Sequence, residues 1–202
     1  MGNSDRFNRE QVSEKGCSFF LLALSGSMKY AKFTYSVILV GGALWCAAIV
    51  MAPIFSTYPG IFGGAGKILY VFFNSICHQI DERSFHIEGM PFGVCSRCTA
   101  IYFGFLFGVL IYPFVRGVSR PEMPSRLFLV VACIPMIADA FPWRFGMYEA
   151  TLESRSATGG ILGFTLAFFI LPAAIQAVSE LAGIRSLTVD QQEGISNATE
   201  TR

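Results

Sequence analysis

The sequence predicts an all-α fold, a bundle of membrane helices with about four spans and one shorter helix. Hydrophobic residues make up 53% of the 202 residues and charged residues only 14%, whereas soluble domains carry about 25% charged residues. Four stretches are also apolar enough to form helices across the roughly 30 Å hydrocarbon core of a bilayer. The composition therefore implies a lipid bilayer as partner, and the net charge of +1 gives no indication of nucleic-acid binding.

The predicted spans are Thr34–Phe55, Thr99–Val115, Leu127–Phe141, which is short, and Thr158–Val178. A weaker candidate is Ile61–Ile80, because Lys67, Asn74 and several glycines interrupt its apolar character. We predict a re-entrant or interfacial helix there, with a fifth span as the alternative.

Three segments follow from this assignment. Residues 1–33 are predicted to form a polar or interfacial N-terminal segment, residues 34–180 the membrane domain, and residues 181–202 a polar C-terminal tail. Lys and Arg are enriched in cytoplasmic loops. If the chain has four spans, the basic residues that flank these spans all fall on one side of the membrane. These residues are Arg6, Arg9, Lys15, Lys29, Lys32, Arg116, Arg120, Arg126 and Arg185. We therefore expect a protein of the cell membrane with both termini in the cytoplasm.

Two polar loops, residues 77–98 and 142–157, lie on the same side with either span count, because two spans separate them. Small residues at four-residue spacing also line one face of the second span and one face of the fourth. These residues are Ala100, Gly104 and Gly108 in the second span, and Gly159, Gly163 and Ala167 in the fourth. Such faces allow membrane helices to approach closely, so we expect these two helices to pack together and to draw their preceding loops towards each other.

The first loop reads CHQIDERSFHIEGMPFGVCSRC and contains Cys77, His78, Cys95 and Cys98. Three cysteines and one histidine form a complete tetrahedral ligand set for zinc, and the two-residue gap of the second pair lets both thiolates reach one metal. Soft sulfur donors favour zinc over magnesium or calcium. His86 is an alternative ligand, because the adjacent side chains of the first pair point apart.

The same cysteines also fit two other interpretations. A C-x-x-C pair at a helix N-terminus, with Arg97 inside it, has lowered thiol pKa values and can act in thiol–disulfide exchange. The loop can instead be a fixed metal or disulfide cross-link without reactivity. The remaining cysteines are expected to be inert small hydrophobic residues; they are Cys17, Cys46 and Cys133.

The second loop places an acid, Asp139, at the end of the third span, with Arg155 and Thr158 after it. An ionisable residue at the membrane edge is a candidate functional residue. Asp139 can pair with Arg97 or Arg155, act as a general base, or join a metal. A transporter or hydrolase that uses Asp139 with His78 is a further alternative, and we expect the two loops to form one composite site.

The motifs CHQIDERSF and GVCSRCTAIYFG resemble a family of bacterial and archaeal membrane proteins, domain of unknown function 2085, over roughly residues 68–170. The matching residues are Cys77, His78, Gln79, Arg83, Ser84, Phe85, Cys95, Arg97, Cys98, Thr99, Ile101, Tyr102 and Gly104. Asp139, Arg155, Thr158 and Gly159 fall on a later motif of the family, although Ala100 and Ala140 replace its glycines and its glutamine is absent. The resemblance implies a multi-span helical protein and marks Gln79, Arg83, Arg97 and Tyr102 as supporting polar residues. It implies no reaction.

Overall fold

The computed structural model describes the backbone of residues 4–116, 123–144 and 151–200, and the side chains of residues 29–116, 123–141 and 151–183. Its elements follow the order α1 (Ser4–Thr57), α2 (Ile61–Asn74), a 3-10 turn (Asp81–Arg83), β1 (His86–Ile87), β2 (Met90–Pro91), α3 (Ser96–Val115), α4 (Arg126–Arg144) and α5 (Leu152–Glu200). The predicted helical bundle is confirmed. The side chain of Cys17 and the loop residues 145–150 lie outside the described part.

Three helical segments of the described chain are long and apolar enough to cross a membrane: Lys29–Thr57, Ser96–Val115 and Leu152–Gly183. They contain the first, second and fourth predicted spans. The third predicted span forms helix α4 but is not one of these three. At 1.5 Å per residue, the 19 residues of α4 extend about 28 Å, close to the roughly 30 Å thickness of the hydrocarbon core.

Helices α3 and α5 run parallel, because successive residues of one contact successive residues of the other. A Cβ added to Gly104 would lie 3.0 Å from the Cα of Gly160, and one added to Gly108 would lie 2.6 Å from the Cβ of Ala167. Two parallel spans require the chain between them to return across the bundle. Helix α4 is the described element between them in the chain, and it packs against α5.

Helix α1 contacts the cysteine loop at a carbonyl group that a proline leaves free. Pro53 lies inside α1 and has no N–H to donate to the carbonyl oxygen of Ile49, four residues earlier. The N–H of Gly93 in the loop donates to that oxygen at 3.2 Å instead. The proline therefore fixes the point on α1 where the loop docks.

A second proline has the same effect in α3. Pro113 frees the carbonyl oxygen of Val109, and the hydroxyl of Tyr35 in α1 donates to it at 3.3 Å. Together with the Ile49 contact, this bond shows that α1 and α3 are antiparallel. At 14 residues, the helix α2 between them is shorter than the three candidate spans.

The loop contains a small antiparallel hairpin, which the sequence analysis did not predict. His86 pairs with Pro91 across its two strands. The turn residues Glu88 and Gly89 have φ values of 52° and 79°. Two consecutive positive φ values are typical of the type I′ turn, whose twist matches that of the strands.

Two clusters of buried side chains form the core. One lies where α1, α3 and α5 meet and consists of Ala31, Tyr112, Phe168, Leu171 and Ile175. The other lies under the cysteine loop and consists of Ile49, Phe73, Cys77 and Val94. The second cluster brings α1, α2 and the start of α3 together around one of the predicted site residues.

Candidate functional site

Three cysteines from different parts of the loop meet at the beginning of α3. Cys77 follows the end of α2, Cys95 is the N-cap residue of α3, and Cys98 lies in its first turn. Their sulfur atoms all lie within 4.8 Å of one another. All three are free thiols, and the backbone N–H of Cys95 donates to the sulfur of Cys77 at 3.3 Å.

The local structure explains why Cys95 and Cys98 share this site. Residues three apart lie on the same side of a helix, and the first turn of a helix carries the positive end of its dipole. A hydrogen bond with the thiol of Cys98 lowers the pKa of Cys95 below its ordinary value, while burial opposes this effect. The first turn of α3 therefore favours the thiolate of Cys95, the form that binds metals.

Apolar and aromatic side chains surround the sulfur atoms. Cys77 is only 6% exposed, and Trp45 and Tyr102 pack against its cluster. The ring of Trp45 lies 5.5 Å from that of Phe73 and 5.7 Å from that of Tyr102. Tyr102, one of the predicted supporting residues, thus forms part of the wall around the cysteines.

The structure places His78 outside the three-cysteine group. It is exposed, and the group of candidate metal ligands found in the described chain contains the three cysteines without it. His86 is also exposed, and its Nε2 lies 3.1 Å from a carboxylate oxygen of Asp81. Adjacent side chains point in different directions, so turning Cys77 inward leaves His78 facing outward.

Gln79 connects the two ends of the loop. Its side-chain amide nitrogen donates to the carbonyl oxygens of Tyr70 and Gly93 at 2.9 and 2.8 Å. The backbone of Gln79 has a φ of 48°, a left-handed conformation that is uncommon for residues other than glycine. The hydroxyl of Tyr70 donates to the carbonyl oxygen of Pro91, and burial, followed by the charge of Asp81, raises the pKa of Tyr70. These contacts attach the loop to α2 just beside Cys77.

A group of charged residues lies next to the cysteines. The guanidinium of Arg97 is paired with the carboxylate of Asp139, and these side chains are only 17% and 6% exposed. Arg155 is 7% exposed, and the charges that act on it come from Arg97, Arg83, Asp139 and Cys95. The structure therefore brings Asp139 and Arg155 of the second loop region beside the first loop.

The small residues of α3 and α5 permit this approach. A Cβ added to Gly159 would lie 2.7 Å from the carbonyl oxygen of Arg97 and 3.4 Å from the Cβ of Ala100. One added to Gly163 would lie 2.8 Å from the Cα of Ile101. The two helices thus pack backbone to backbone directly below the charged residues.

Arg155 belongs to α5 rather than to the preceding loop, because α5 begins at Leu152. The hydroxyl of Thr158 donates to the carbonyl oxygen of Ser154, one turn earlier, at 2.9 Å. Its hydrogen bond is therefore made within its own helix.

Comparisons with known proteins agree with this architecture. The family model described as predicted membrane protein (DUF2085) matches residues 77–169. The chain is 36% identical over 148 residues to "Uncharacterized protein MJ1492" of Methanocaldococcus jannaschii, an alignment that covers 71% of this chain and 94% of that protein. The chain belongs to the DUF2085 family. This confirms the resemblance that the motifs indicate.

A second relative of this DUF2085 protein is an uncharacterized protein of Methanothermobacter thermautotrophicus. The two are 38% identical over 95 residues, which cover 47% of this chain and 84% of the relative. No solved structure matches the chain.

Several residues of this DUF2085 protein contribute to the site but were not predicted from the sequence, among them Gly93, Tyr70 and Ser96. Gly93 donates to α1 and accepts from Gln79, Tyr70 holds the hairpin, and Ser96 is completely buried in the first turn of α3. The sequence signal for the contact of Gly93 was a proline inside an apolar span. A proline has no N–H to donate to the carbonyl oxygen four residues earlier, so that oxygen is free to accept from another residue. Ser96 lies between the two cysteines of the C-x-x-C motif, so its position was visible but its burial was not.

Proposed function

We propose that this protein binds a zinc ion through the thiolates of Cys77, Cys95 and Cys98, at one face of its membrane bundle. The observation that supports the proposal is the proximity of three free sulfur atoms, all within 4.8 Å of one another. Thiolates at about 2.3 Å from a tetrahedral zinc ion are separated by about 3.8 Å. A small inward movement of the three side chains is enough to reach that separation.

Three protein ligands leave one position of a tetrahedral zinc ion for another ligand. Structural zinc sites generally have four protein ligands, whereas catalytic sites have three and hold water or substrate in the fourth position. Because His78 lies outside the group, the geometry supports a site with one position open to a small ligand. The metal would also tie the end of α2 to the start of α3.

The purified full-length protein is expected to contain a stoichiometric amount of zinc, measured by inductively coupled plasma mass spectrometry. The double variant Cys95→Ser, Cys98→Ser should lose it, because a single remaining thiolate cannot hold the ion. Gln79→Leu should weaken zinc binding, because the side chain of Gln79 attaches the loop to α2 beside Cys77. His78→Ala should bind zinc like the wild type.

Cys133→Ser is the matched control, since Cys133 is a free thiol outside the three-cysteine group. It should retain the wild-type zinc content. Equal, negligible zinc in the wild type and in the double variant would refute the proposal. Circular dichroism of each variant shows whether the helices are intact, and cobalt added after chelation provides a readout through its thiolate absorption.

A second candidate function is thiol–disulfide exchange, which the free thiols at the start of α3 also permit. The thiolate of Cys95 would attack a disulfide of a partner protein, form a mixed disulfide and release one partner thiolate. Cys98 would then attack the sulfur of Cys95, form the Cys95–Cys98 disulfide and release the second partner thiolate. A metal-free protein in which Cys98→Ser traps a mixed disulfide would favour this function over zinc binding.

We also propose that the cysteine site faces the outside of the cell membrane and that both termini are cytoplasmic. Ala31 of α1 packs in one cluster with Ile175 of α5, at the end of the bundle opposite to the cysteines, which supports a common side for the two termini. After removal of metal, a membrane-impermeant maleimide added to intact cells should label Cys95. Labelling only after the membrane is permeabilised would place the site in the cytoplasm.

A further inference from the structure

The first turns of α3 and α5 lie side by side, beyond the three cysteines. The two helices are parallel, and the small residues that join them begin with Gly159 against Arg97 and Ala100. The N-terminal end of a helix presents unpaired backbone N–H groups and the positive end of its dipole, which together favour anions. Here two such ends meet in one place.

Ser96 supplies a buried donor at this place. It is 0% exposed, and its hydroxyl has no hydrogen-bond partner in the described part of the chain. Residues four apart lie on the same side of a helix, so Ser96 belongs to the same face as Ala100 and Gly104, which lie against α5. Its hydroxyl is therefore directed towards the first turn of α5. Buried hydroxyl groups are normally hydrogen-bonded, so the hydroxyl of Ser96 is available to donate to a ligand.

Arg97 supplies a second donor of the same kind. One end of its guanidinium is paired with Asp139, but its buried Nε–H has no partner among the residues that the structure describes. The guanidinium group has five N–H donors in a planar arrangement, which suits an oxyanion with several acceptor oxygens. Two unpaired donors on consecutive residues thus lie at the start of α3.

The charges at this position favour an anion as well. Arg155 is 7% exposed, and it experiences the positive charges of Arg97 and Arg83 and the negative charges of Asp139 and Cys95. Three guanidinium groups therefore lie near one another at this place. Arg155 also interacts within the protein, and a guanidinium group has five N–H donors, so it can donate to an anion in addition.

We infer that the first turns of α3 and α5 form a binding site for a phosphate group, held by Ser96, Arg97 and Arg155. Phosphate offers several strong acceptor oxygens, which match a buried hydroxyl and guanidinium groups better than a single-acceptor anion does. The phosphate can belong to a lipid headgroup or be free inorganic phosphate. The site is separate from the three sulfur atoms and does not require the metal.

Binding is tested on the full chain in maltoside micelles, which contain no phosphate. The first probe is radiolabelled inorganic phosphate in equilibrium dialysis. The second is dioleoylphosphatidic acid, detected by native mass spectrometry, with dioleoylglycerol as the matched lipid without phosphate. At least one phosphate probe should bind saturably, and Ser96→Ala and Arg155→Gln should each weaken its binding by roughly 10- to 100-fold, the loss of one hydrogen bond to a charged group.

The control variant is Lys67→Gln, which removes an exposed positive charge on α2 and should leave binding unchanged. Arg155→Lys should retain more binding than Arg155→Gln. If phosphatidic acid binds and inorganic phosphate does not, the ligand is a lipid headgroup, whereas the reverse result identifies free phosphate. If phosphate binding is lost after the metal is removed with a chelator but is retained in Ser96→Ala, the phosphate binds to the metal and the inference is refuted. The absence of saturable binding of either probe would also refute the inference. If Arg155→Gln fails to fold, Ser96→Ala, which removes only one oxygen atom, still provides the test.

Discussion

Gly163→Ala is expected to lower the free energy of unfolding of the bundle by about 1–3 kcal/mol, the usual cost of inserting an extra carbon into a well-packed interior. A Cβ at Gly163 would lie 2.8 Å from the Cα and from the carbonyl carbon of Ile101, and closer still to its oxygen. These are backbone atoms of α3, which cannot rotate away as a flexible side chain can. The two helices must therefore separate, and the start of α3, with Cys95 and Cys98, would move relative to Arg155.

Gly160→Ala is the matched control on the same helix. A Cβ at Gly160 would have its nearest neighbour, the carbonyl oxygen of Ala100, at 3.9 Å, an ordinary contact distance. Alanine favours a helix over glycine by about 1 kcal/mol, so this variant should be as stable as the wild type or slightly more stable. Thermal unfolding in one detergent, followed by circular dichroism, compares the three proteins. A midpoint for Gly163→Ala that equals or exceeds that of Gly160→Ala would contradict the close packing of α3 and α5.

The sequence was sufficient to predict most of the bundle, because the features that determine it are local. The apolar run of α1 and the small residues of α3 and α5 are visible as composition and spacing. Because two spans separate the two polar loops, the sequence alone predicted that both loops lie at one face. The structure pairs Arg97 with Asp139, one of the alternatives that the sequence left open.

The details of the cysteine loop could not be predicted, because they depend on contacts between distant residues. Donation from Gly93 to Ile49 requires knowledge of which part of α1 lies opposite the loop. The hairpin turn at Glu88 and Gly89 has no Asn-Gly or Asp-Gly signal. From the sequence alone, His78 and Cys77 are equally plausible zinc ligands. Which of the two side chains turns towards Cys95 and Cys98 depends on the direction in which the chain leaves α2.

Asp139→Leu is expected to lower the free energy of unfolding by about 3–5 kcal/mol, the cost of leaving one partner of a buried ion pair uncompensated. The side chains of Asp139 and Arg97 are 6% and 17% exposed. Without the carboxylate, the guanidinium of Arg97 faces the positive charges of Arg155 and Arg83, which lie in the same group. The substitution should also weaken the attachment of α4 to the start of α3.

The double variant Arg97→Met, Asp139→Leu is expected to recover most of this loss, because removing both charges of a buried pair avoids the desolvation penalty. The coupling energy from the two single variants and the double variant isolates the interaction of the pair. Asp81→Asn provides the exposed comparison: Asp81 and its partner His86 are 72% and 39% exposed, and such pairs contribute about 1 kcal/mol or less. Chemical unfolding in one detergent measures all four variants. If Asp139→Leu lowers the free energy of unfolding no more than Asp81→Asn does, the ion pair does not hold α4 in place. If the double variant is more stable than Asp139→Leu, the unpaired guanidinium of Arg97 is the cause of the lost stability.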